Sequence, residues 1–520
     1  MSFQQDDFIA PDESLPVHDA IITNKVKEIA MSAETTRRGF LRSSALGLAG
    51  TAAVGTWPWL EMKVEVRQTP TAPRGSRSGE ITAWMTSEKR RFARLDPIRW
   101  RPVSAEPSHA AIVLSPDRKF QQILGFGAAF TDAACFMFNQ LAAKQRELLF
   151  HELFHPAEMG LNVCRTCIGA SDYSTKVYNY DEGDPDPELK RFSIEHDREY
   201  ILPMLRESRT ANPDLFLFSS PWSPPGWMKS GGSMLGGAMR QRYFSAYAQY
   251  FVKFLQAYAA DGVPVQAVTV QNEVDTDQDG RMPACIWPQE YEIGFVKHDL
   301  GPALEQNGLK TRIWILDHNY NLWGRAIDEL DDPGVRRYSN AVAWHAYGGA
   351  PEMMSRVHEA HPDAEMFWTE GGPDYTSPDY LTDWAKWGGT FTSALRNWCR
   401  SVTGWNLALD ERGRPNIGPF PCGGLVTIHS QTKEITRSGQ YWAFAHFSRA
   451  IRRGAVRFDS ECAVPGICHA AFENPDGTLA LVITNPGPAR TAVIRMGGME
   501  AEVALDNDSV ATFVWSRVAA

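Results

Sequence analysis

Two glutamates follow short apolar runs of the chain, one in Gln271–Glu273 and one in Thr369–Glu370. A retaining glycosidase uses two carboxyl groups about 5–5.5 Å apart, one protonated to donate to the leaving oxygen and one ionised to attack the anomeric carbon. Burial and a neighbouring carboxylate raise one pKa and so divide these roles. Because Glu273 and Glu370 lie far apart in the sequence, this interpretation requires a fold that gathers strand ends around one cleft.

A competing motif is His151–His155, which satisfies the zinc-protease pattern H-E-x-x-H. In that motif two histidines on one helical face bind the metal and the glutamate activates water. Here Pro156 ends the helix directly after the second histidine, and the extended part of the motif is absent. We therefore expect histidines at a helix end, with no metal or other cofactor, and we keep a zinc peptidase as the alternative from a different class.

Other short motifs carry less chemistry. Gly125–Gly127 resembles the start of a dinucleotide loop, but Phe130 stands where the third glycine belongs. The sequence contains no G-x-S-x-G and no phosphate loop. Cys164 and Cys167 form a CxxC on a predicted strand, where they point to opposite faces and fill the core. Cys462 and Cys468 are the one pair that we consider for a disulfide.

The elements that must position the two glutamates alternate between strands and helices. Amphipathic patterns such as Tyr243–Ala260 and Glu290–Leu300 separate eight short apolar runs. The predicted strands are Gln122–Phe126, Leu161–Arg165, Leu215–Ser219, Ala267–Gln271, Arg312–Leu316, Ala341–His345, Glu365–Thr369 and Val402–Trp405. Eight strands with intervening helices predict an α/β fold, a (β/α)8 TIM barrel with its active site at the carboxyl ends of the strands.

The C-terminal part changes to short runs of β-formers, and Asn474–Gly477 supplies a hairpin turn. The predicted strands are Ala470–Glu473, Thr478–Thr484, Thr491–Met496, Met499–Leu505 and Val510–Trp515. The segment Ile81–Leu114 completes an all-β sandwich from the other end of the chain. We predict an export segment over 1–65, the first sandwich strands over 66–115, the barrel over 116–435, and its last helix with the remaining sandwich over 436–520.

The first residues read as a targeting segment. Thr36–Arg42 places paired arginines before Phe-Leu, and the uncharged run Ser43–Gly55 follows. This is typical of a twin-arginine signal. The apolar run is shorter than the roughly 20 residues that span a bilayer. We expect an exported protein, periplasmic or secreted, whose partner in transit is the Tat export machinery.

Composition narrows the class of substrate. The chain has 520 residues, 52 Lys and Arg against 62 Asp and Glu, and a net charge of −10. This balance argues against a nucleic-acid partner and suits a neutral substrate. The 17 Trp residues are consistent with a sugar cleft, although a large barrel also uses Trp as packing.

Several longer motifs, in order, resemble glycoside hydrolase family 30, the family that includes glucosylceramidase (acid β-glucosidase). The resemblance runs from about Gln121 to the C-terminus. It rests on Gln122–Ala134, Ser220–Lys229, Gln271–Glu273, Trp368–Glu370 and Gly404–Leu409. It implies a (β/α)8 barrel flanked by a β-sandwich and retaining cleavage of β-glycosides.

The resemblance also implies roles for single residues. Glu273 matches the acid/base of the family and Glu370 its nucleophile. Residues that match those holding the sugar in the −1 subsite are Asp132, Trp222, Asn272 and Trp405. Arg165 matches a buried arginine that supports the site, while His345 and Tyr347 match side chains near the nucleophile. A cation beside Glu370 would keep that carboxylate ionised.

The sequence departs from the family pattern at Ala128, at Val274 and in the loop 275–287. None of these changes removes a catalytic group, but they leave the leaving-group side of the cleft open. We predict a β-glucosidase that acts on glucosylceramide-like glycosides, a glycolipid or oligosaccharide substrate, with transient contact to a membrane surface. The alternatives are a β-1,6-glucanase or β-xylosidase of the same family and a carbohydrate-binding protein without catalysis.

Overall fold

The structure is a computed structural model that describes residues 79–104 and 111–516. The predicted export signal lies outside the described residues, as does part of the first predicted sandwich segment. Among the helices of the described ranges, none combines the length and the apolar character needed to cross a membrane.

The described part of the chain starts with five strands of the sandwich and then enters the barrel. The sandwich strands are β1 (Glu80–Ser87), β2 (Arg90–Arg94), β3 (Ile98–Arg99), β4 (Arg101–Pro102) and β5 (Ala111–Gln122). The barrel strands are β6 (Gly125–Phe130), β7 (Val163–Cys167), β8 (Phe216–Ser220), β9 (Ala267–Thr269), β10 (Arg312–Asn319), β11 (Ala341–His345), β12 (Glu365–Glu370) and β13 (Cys399–Asn406). These eight strands are parallel and close into a barrel in sequence order.

Helices cover the outside of the barrel. They are α1 (Asp132–Asn139), α2 (Ala143–Phe154), α3 (Glu195–Glu199), α4 (Ile201–Ala211), α5 (Phe244–Ala260), α6 (Gln289–Phe295), α7 (Gly301–Gln306), α8 (Trp323–Asp331), α9 (Pro333–Arg336), α10 (Glu352–Ala360), α11 (Trp384–Arg396) and α12 (Gly439–Ser448). A π-helical turn (Val296–Leu300) joins α6 to α7, and 3-10 turns lie at Gly226–Met228, Gln241–Tyr243, Gln278–Gly280 and Tyr320–Leu322. The apolar faces of these helices pack with the outer faces of the strands in the largest buried cluster.

The remaining strands follow the barrel. They are β14 (Ala408–Leu409), β15 (Val426–Ile428), β16 (Ile435–Arg437), β17 (Val456–Cys462), β18 (Cys468–Glu473), β19 (Thr478–Asn485), β20 (Arg490–Met496), β21 (Met499–Leu505) and β22 (Ser509–Ser516). The first three form a small sheet of their own, and the last six join β1–β5 in one eleven-stranded sheet.

That large sheet folds over on itself. The long strand β5 pairs with β17 on one side and with β20 on the other. Side chains from both ends of the strand order, such as Ile81 and Phe513 against Ile494 and Val503, meet in one buried cluster. The result is a two-layered sandwich built from both ends of the chain, as predicted.

The barrel and its sandwich confirm the predicted fold class, although several strand boundaries shift by a few residues and one predicted strand is divided. The run 122–126, predicted as one strand, is divided: β5 ends at Gln122 in the sandwich and β6 begins at Gly125 in the barrel. Strand β5 therefore extends past the predicted domain boundary at residue 115. All eight cysteines are free, so the structure does not support the disulfide considered between Cys462 and Cys468.

Candidate active site

The side chains inside the barrel form two layers, which we call the floor and the polar layer. The floor is apolar and consists of Val163, Phe218, Ala267, Trp314, Ala341, Ala343 and Phe367. Two residues further along five of these strands, the polar layer contains Arg165, Ser220, Thr269, His345 and Thr369. Because side chains alternate between the two faces of a strand, both layers point inward and the polar layer lies nearer the carboxyl ends.

Strand β10 reaches the polar layer through an irregularity. Its floor residue is Trp314, so regular alternation would turn Leu316 inward, yet Leu316 packs in the outer core. The register with β11 shifts between Leu316 and His318, where Leu316 and Asp317 have φ of 72° and 50°. Such left-handed positions cost about 1–3 kcal/mol each for residues other than glycine. The bulge exchanges an apolar side chain for the carboxylate of Asp317.

Asp317 is fully buried and accepts hydrogen bonds from every other side chain of the polar layer. Its donors are Arg165 Nη2 (2.7 Å), Ser220 Oγ (2.8 Å), Thr269 Oγ1 (2.7 Å), Thr369 Oγ1 (2.7 Å) and His345 Nε2 (3.1 Å). Burial alone would raise its pKa, but the Arg165 cation and these hydrogen bonds outweigh burial and lower the pKa. Asp317 is therefore a fixed negative charge below the cleft.

Arg165 connects that charge to Glu370. Its buried guanidinium donates to Glu370 Oε2 through Nη1 and to Asn272 Oδ1 through Nη2, the latter at 2.8 Å. Its Cζ lies 4.5 Å from the ring centre of Trp222. Burial raises the pKa of Glu370 above its ordinary value even though His345 and Arg165 oppose that rise. Arg165 thus opposes the rise without offsetting burial, so the expectation that a cation here keeps Glu370 ionised is not supported.

Glu273 follows β9 in a strained turn. Its φ is 53°, and its N–H donates to the Asp317 carbonyl at 3.0 Å, so one hydrogen bond joins the two left-handed segments. Gln278 Nε2 donates to its Oε2 at 2.8 Å. Burial would raise the pKa of Glu273, but the facing imidazole of His345 outweighs burial and lowers it.

His345 lies between the two glutamates. Its Nδ1 is 3.5 Å from Glu273 Oε1, and its Nε2 is 3.9 Å from Glu370 Oε2. Burial opposes protonation, but the surrounding carboxylates, Glu370 first, raise the pKa of His345 to about 9. The two glutamates therefore share one cation and act as a pair, in which one proton can reside on either carboxylate.

A cavity of about 340 Å³ opens above this pair. It is lined by Asp172, Trp222, Asn272, Glu273, Gln278, Met282, Tyr347, Glu370, Gly372, Pro373, Asp374, Trp405, Phe420, Pro421 and Cys422. Trp222 and Trp405 stack with their ring centres 4.9 Å apart, and Tyr347 donates to Glu370 Oε1 at 3.2 Å. Indole faces beside carboxylates match the apolar and hydroxyl faces of a pyranose.

The structure brings together all but one of the residues predicted for the site. Six of them line the cavity, Arg165 and His345 contact Glu370, and the exception is Asp132, whose partners lie elsewhere. Its carboxylate already accepts hydrogen bonds from the Thr175 N–H and the Tyr200 hydroxyl, both at 2.7 Å, and contacts His196. All three partners come from the segment after β7, and the sugar-binding role of Asp132 stays a prediction. In the described arrangement Asp132 braces the loop after β7.

Sequence reasoning missed four polar residues near the cleft: Asp172, Gln278, Asp317 and His318. Asp172 lines the cavity, one of its carboxylate oxygens has no partner, and burial raises its pKa well above the ordinary value. Asp317 and His318 follow the fifth predicted strand, so the rule that applied to the glutamates would have found them. Asp172 and Gln278 lie on loops, for which the sequence holds no comparable signal.

The zinc-protease motif does not form a metal site. Helix α2 ends at Phe154, so His155 lies outside it. Glu152, the residue that would activate water, pairs with Arg437 and accepts a hydrogen bond from Tyr441 at 2.6 Å. Within the described ranges, the group of side chains that could hold a metal ion is instead Glu273, His318 and His345.

Comparison with known families agrees with this geometry. The profile of the Glycosyl hydrolase family 30 TIM-barrel domain matches residues 123–451. The profile of the Glycosyl hydrolase family 30 beta sandwich domain matches residues 454–513.

Individual proteins resemble most of the chain. An endo-1,6-beta-D-glucanase of Neurospora crassa is 32% identical over 416 residues, 77% of this chain and 84% of its own. The lysosomal acid glucosylceramidase of Mus musculus is 27% identical over 433 residues, 78% of this chain and 83% of its own. The solved structure of the endo-beta1,6-glucanase BT3312 is 29% identical and superposes with a TM-score of 0.76, covering 84% of this chain and 100% of that one.

Proposed function

The chain belongs to glycosyl hydrolase family 30, and from that premise we propose that it cleaves β-glucosides whose leaving group is a primary alcohol. Members of the family are retaining glycosidases, so the reaction is glycoside hydrolysis through two displacements at the anomeric carbon. The observation that carries the proposal is the pair Glu273 and Glu370, facing one cavity and sharing the His345 cation.

Each glutamate has one role in our mechanism. Glu370 attacks the anomeric carbon and forms the glycosyl-enzyme, while Glu273 gives its proton to the leaving oxygen. Once Glu370 is esterified its negative charge is gone, and Glu273 then takes a proton from the attacking water. The indoles of Trp222 and Trp405 support the apolar face of the glucosyl ring, and Asn272 lies beside the acid to bind the 2-hydroxyl.

The leaving group is inferred from the two kinds of relative. Glucosylceramide and a β-1,6-glucan both join glucose to a CH₂–O group, although the rest of each aglycone differs. A methylene spacer lets the glucosyl ring enter the cavity while a bulky aglycone stays at the mouth, where Tyr347 and Phe420 are 49% and 39% exposed. We propose glucosylceramide-like glycolipids, reached by transient contact with a membrane surface, and β-1,6-glucan as the two natural candidates.

A panel of substrates tests this proposal. We expect alkyl β-glucosides of primary alcohols, β-1,6-linked glucobiose and glucosylceramide in detergent to be hydrolysed with higher kcat/KM than β-1,4-linked glucobiose. A 2-fluoro glucoside should label Glu370, and mass spectrometry of the labelled peptide identifies the residue. Labelling at another carboxylate would contradict the assignment of the nucleophile. Equal rates on both glucobioses would contradict the preference for primary alcohols, and hydrolysis of β-xylosides alone would favour the β-xylosidase alternative.

We also propose that the protein is exported through the Tat machinery, on the basis of Thr36–Arg42. Replacing both Arg37 and Arg38 by Lys should retain the enzyme inside the producing bacterium, and fractionation followed by immunoblotting measures this. Export of that variant at the normal rate would count against a twin-arginine signal.

A further inference from the structure

Two histidine–carboxylate pairs converge on Glu273. His345 contacts Asp317 through Nε2 at 3.1 Å, and His318 contacts Asp275 through Nε2 at 2.5 Å. The other ring nitrogen of each histidine faces Glu273 Oε1, with His345 Nδ1 at 3.5 Å and His318 Nδ1 at 3.8 Å. The three ligand atoms all lie within 4.8 Å of one another.

The hydrogen bonds set the state of both rings. Each Nε2 lies within hydrogen-bond distance of a carboxylate oxygen, Asp317 Oδ1 for His345 and Asp275 Oδ1 for His318, and a carboxylate accepts. In each neutral imidazole Nε2 then carries the proton and Nδ1 keeps its lone pair. Both Nδ1 atoms are buried without a hydrogen-bond partner. A histidine oriented by a carboxylate on its far nitrogen is the arrangement that metal sites use.

We propose that Glu273, His318 and His345 bind Zn²⁺ or a similar divalent transition metal, and that the ion inhibits the enzyme. Two histidines and one glutamate are a known donor set for Zn²⁺, with the fourth position left to water. Bonds of about 2.0–2.1 Å in a tetrahedron place ligand atoms about 3.4 Å apart. The Oε1 to Nδ1 distances of 3.5 and 3.8 Å already approach this spacing.

Binding has a direct consequence for catalysis, and this part rests on the proposed role of Glu273. An ion on Oε1 keeps the Glu273 carboxylate deprotonated, so that Glu273 has no proton to donate, and the ion adjoins the cavity that holds the sugar. We therefore expect inhibition that competes with substrate. Because the carboxylates raise the pKa of His345, the ion must displace a proton from that ring, which weakens its binding.

Calorimetric titration of the full chain with ZnCl₂, after removal of metals by EDTA, measures binding without reference to activity. We expect one ion per chain. His318→Gln removes one ligand and Asp275→Asn removes the group that orients it, and each should weaken binding about 10–100-fold. Circular dichroism and the unfolding temperature verify that both variants fold.

The control is His151→Gln, in the zinc-protease motif away from the cavity. It should leave both Zn²⁺ affinity and glycosidase rate unchanged. Loss of the calorimetric signal in His151→Gln, or its persistence in both His318→Gln and Asp275→Asn, would overturn the proposed site. A third outcome separates the two proposals. If one ion binds per chain and binding weakens in His318→Gln and Asp275→Asn, the site is supported. If that bound ion does not slow the wild-type enzyme, the role given to Glu273 is overturned.

Discussion

The floor and the polar layer of the barrel are built by the same strands, two residues apart, yet the floor consists of apolar side chains and the polar layer of charged and hydroxyl-bearing ones. In the floor, Trp314 and Phe367 stack at 4.1 Å and exclude polar groups. In the polar layer, Arg165, Asp317 and His345 bring charges into an equally buried place. Burying such charges is costly unless each is paired.

The comparison indicates that the polar layer costs the fold stability and that this cost accompanies its functional side chains. The floor gains from apolar burial and from ring packing. The polar layer instead depends on left-handed backbone at Leu316, Asp317 and Glu273, and it holds buried charges that only their partners compensate. We infer that the floor holds the barrel together and that the polar layer holds the charges of the active site in position.

The largest effect should follow replacement of Glu370, the proposed nucleophile above the polar layer. Glu370→Gln keeps the shape of the side chain but cannot form the glycosyl-enzyme, so kcat should fall on the order of 10⁴–10⁶-fold. Steady-state turnover of an aryl β-glucoside measures this. Because Asp317 still compensates Arg165, the unfolding temperature should stay near that of the wild type. A loss of activity below tenfold would rule Glu370 out as the nucleophile.

A matched pair of variants separates the two layers. Phe367→Ala leaves a void in the floor and should lower the free energy of unfolding by about 3–5 kcal/mol. Asp317→Asn leaves Arg165 and His345 without their shared carboxylate and should cost a similar amount. At temperatures where both variants are folded, only Asp317→Asn should also reduce kcat strongly. Equal losses of kcat in both variants would contradict the division between the layers.

The pH profile should report the shared cation. The productive pair of glutamates carries one proton. Because the pKa of Glu370 is shifted up and that of Glu273 is shifted down from their ordinary values, kcat/KM should have a bell-shaped pH dependence in the acid range. His345→Asn removes a positive charge and so raises both carboxylate pKa values. Both limbs of the profile should move to higher pH, by about one unit. Limbs that stay in place would show that His345 does not govern the pair.

The smallest expected effect concerns a second buried histidine, His446, which lies between the barrel and the sandwich. We compare its effect on stability with that of His345. His446 bonds Thr512 and Thr86 at 2.9 Å each, and burial lowers its pKa to about 3. The folded state therefore resists protonating His446, and its contribution to stability is present above about pH 6.5 and falls as the pH drops toward 3.

A comparison with His446→Gln measures this contribution. The variant should be less stable than the wild type at pH 7, with the gap narrowing by about 2 kcal/mol at pH 5. Urea unfolding at both values tests this. His345 has the opposite sign, because its raised pKa adds stability below pH 6.5 that disappears as the pH rises through about 9. A gap that is constant with pH would show that His446 accepts a proton in the folded state.

Much of this site was predictable because its strands are regular. Period-two alternation and apolar runs located all eight barrel strands, and the strand-end rule selected Glu273 and Glu370. Arg165, which the resemblance predicted to be buried, lies inside the barrel two residues from Val163 on the same regular strand.

The predictions failed where the backbone departs from regular geometry or where a loop folds back. Regular alternation turns Leu316 inward, whereas the bulge in β10 turns Asp317 into the polar layer instead. The sequence also did not anticipate that Thr175 and Tyr200 donate to Asp132, nor that the carboxylate of Asp172 lines the cavity.

The sequence by itself determined the strands, the barrel and the two glutamates at its rim, because these depend on local alternation and on side-chain type. The tertiary structure decided which charges meet. The pairing of Arg165 with Glu370, the position of His345 between two carboxylates, and the approach of His318 to Glu273 join strands far apart in the chain. Burial and charge set pKa values only after those strands have closed into a barrel, so this part of the chemistry cannot be read from neighbouring residues.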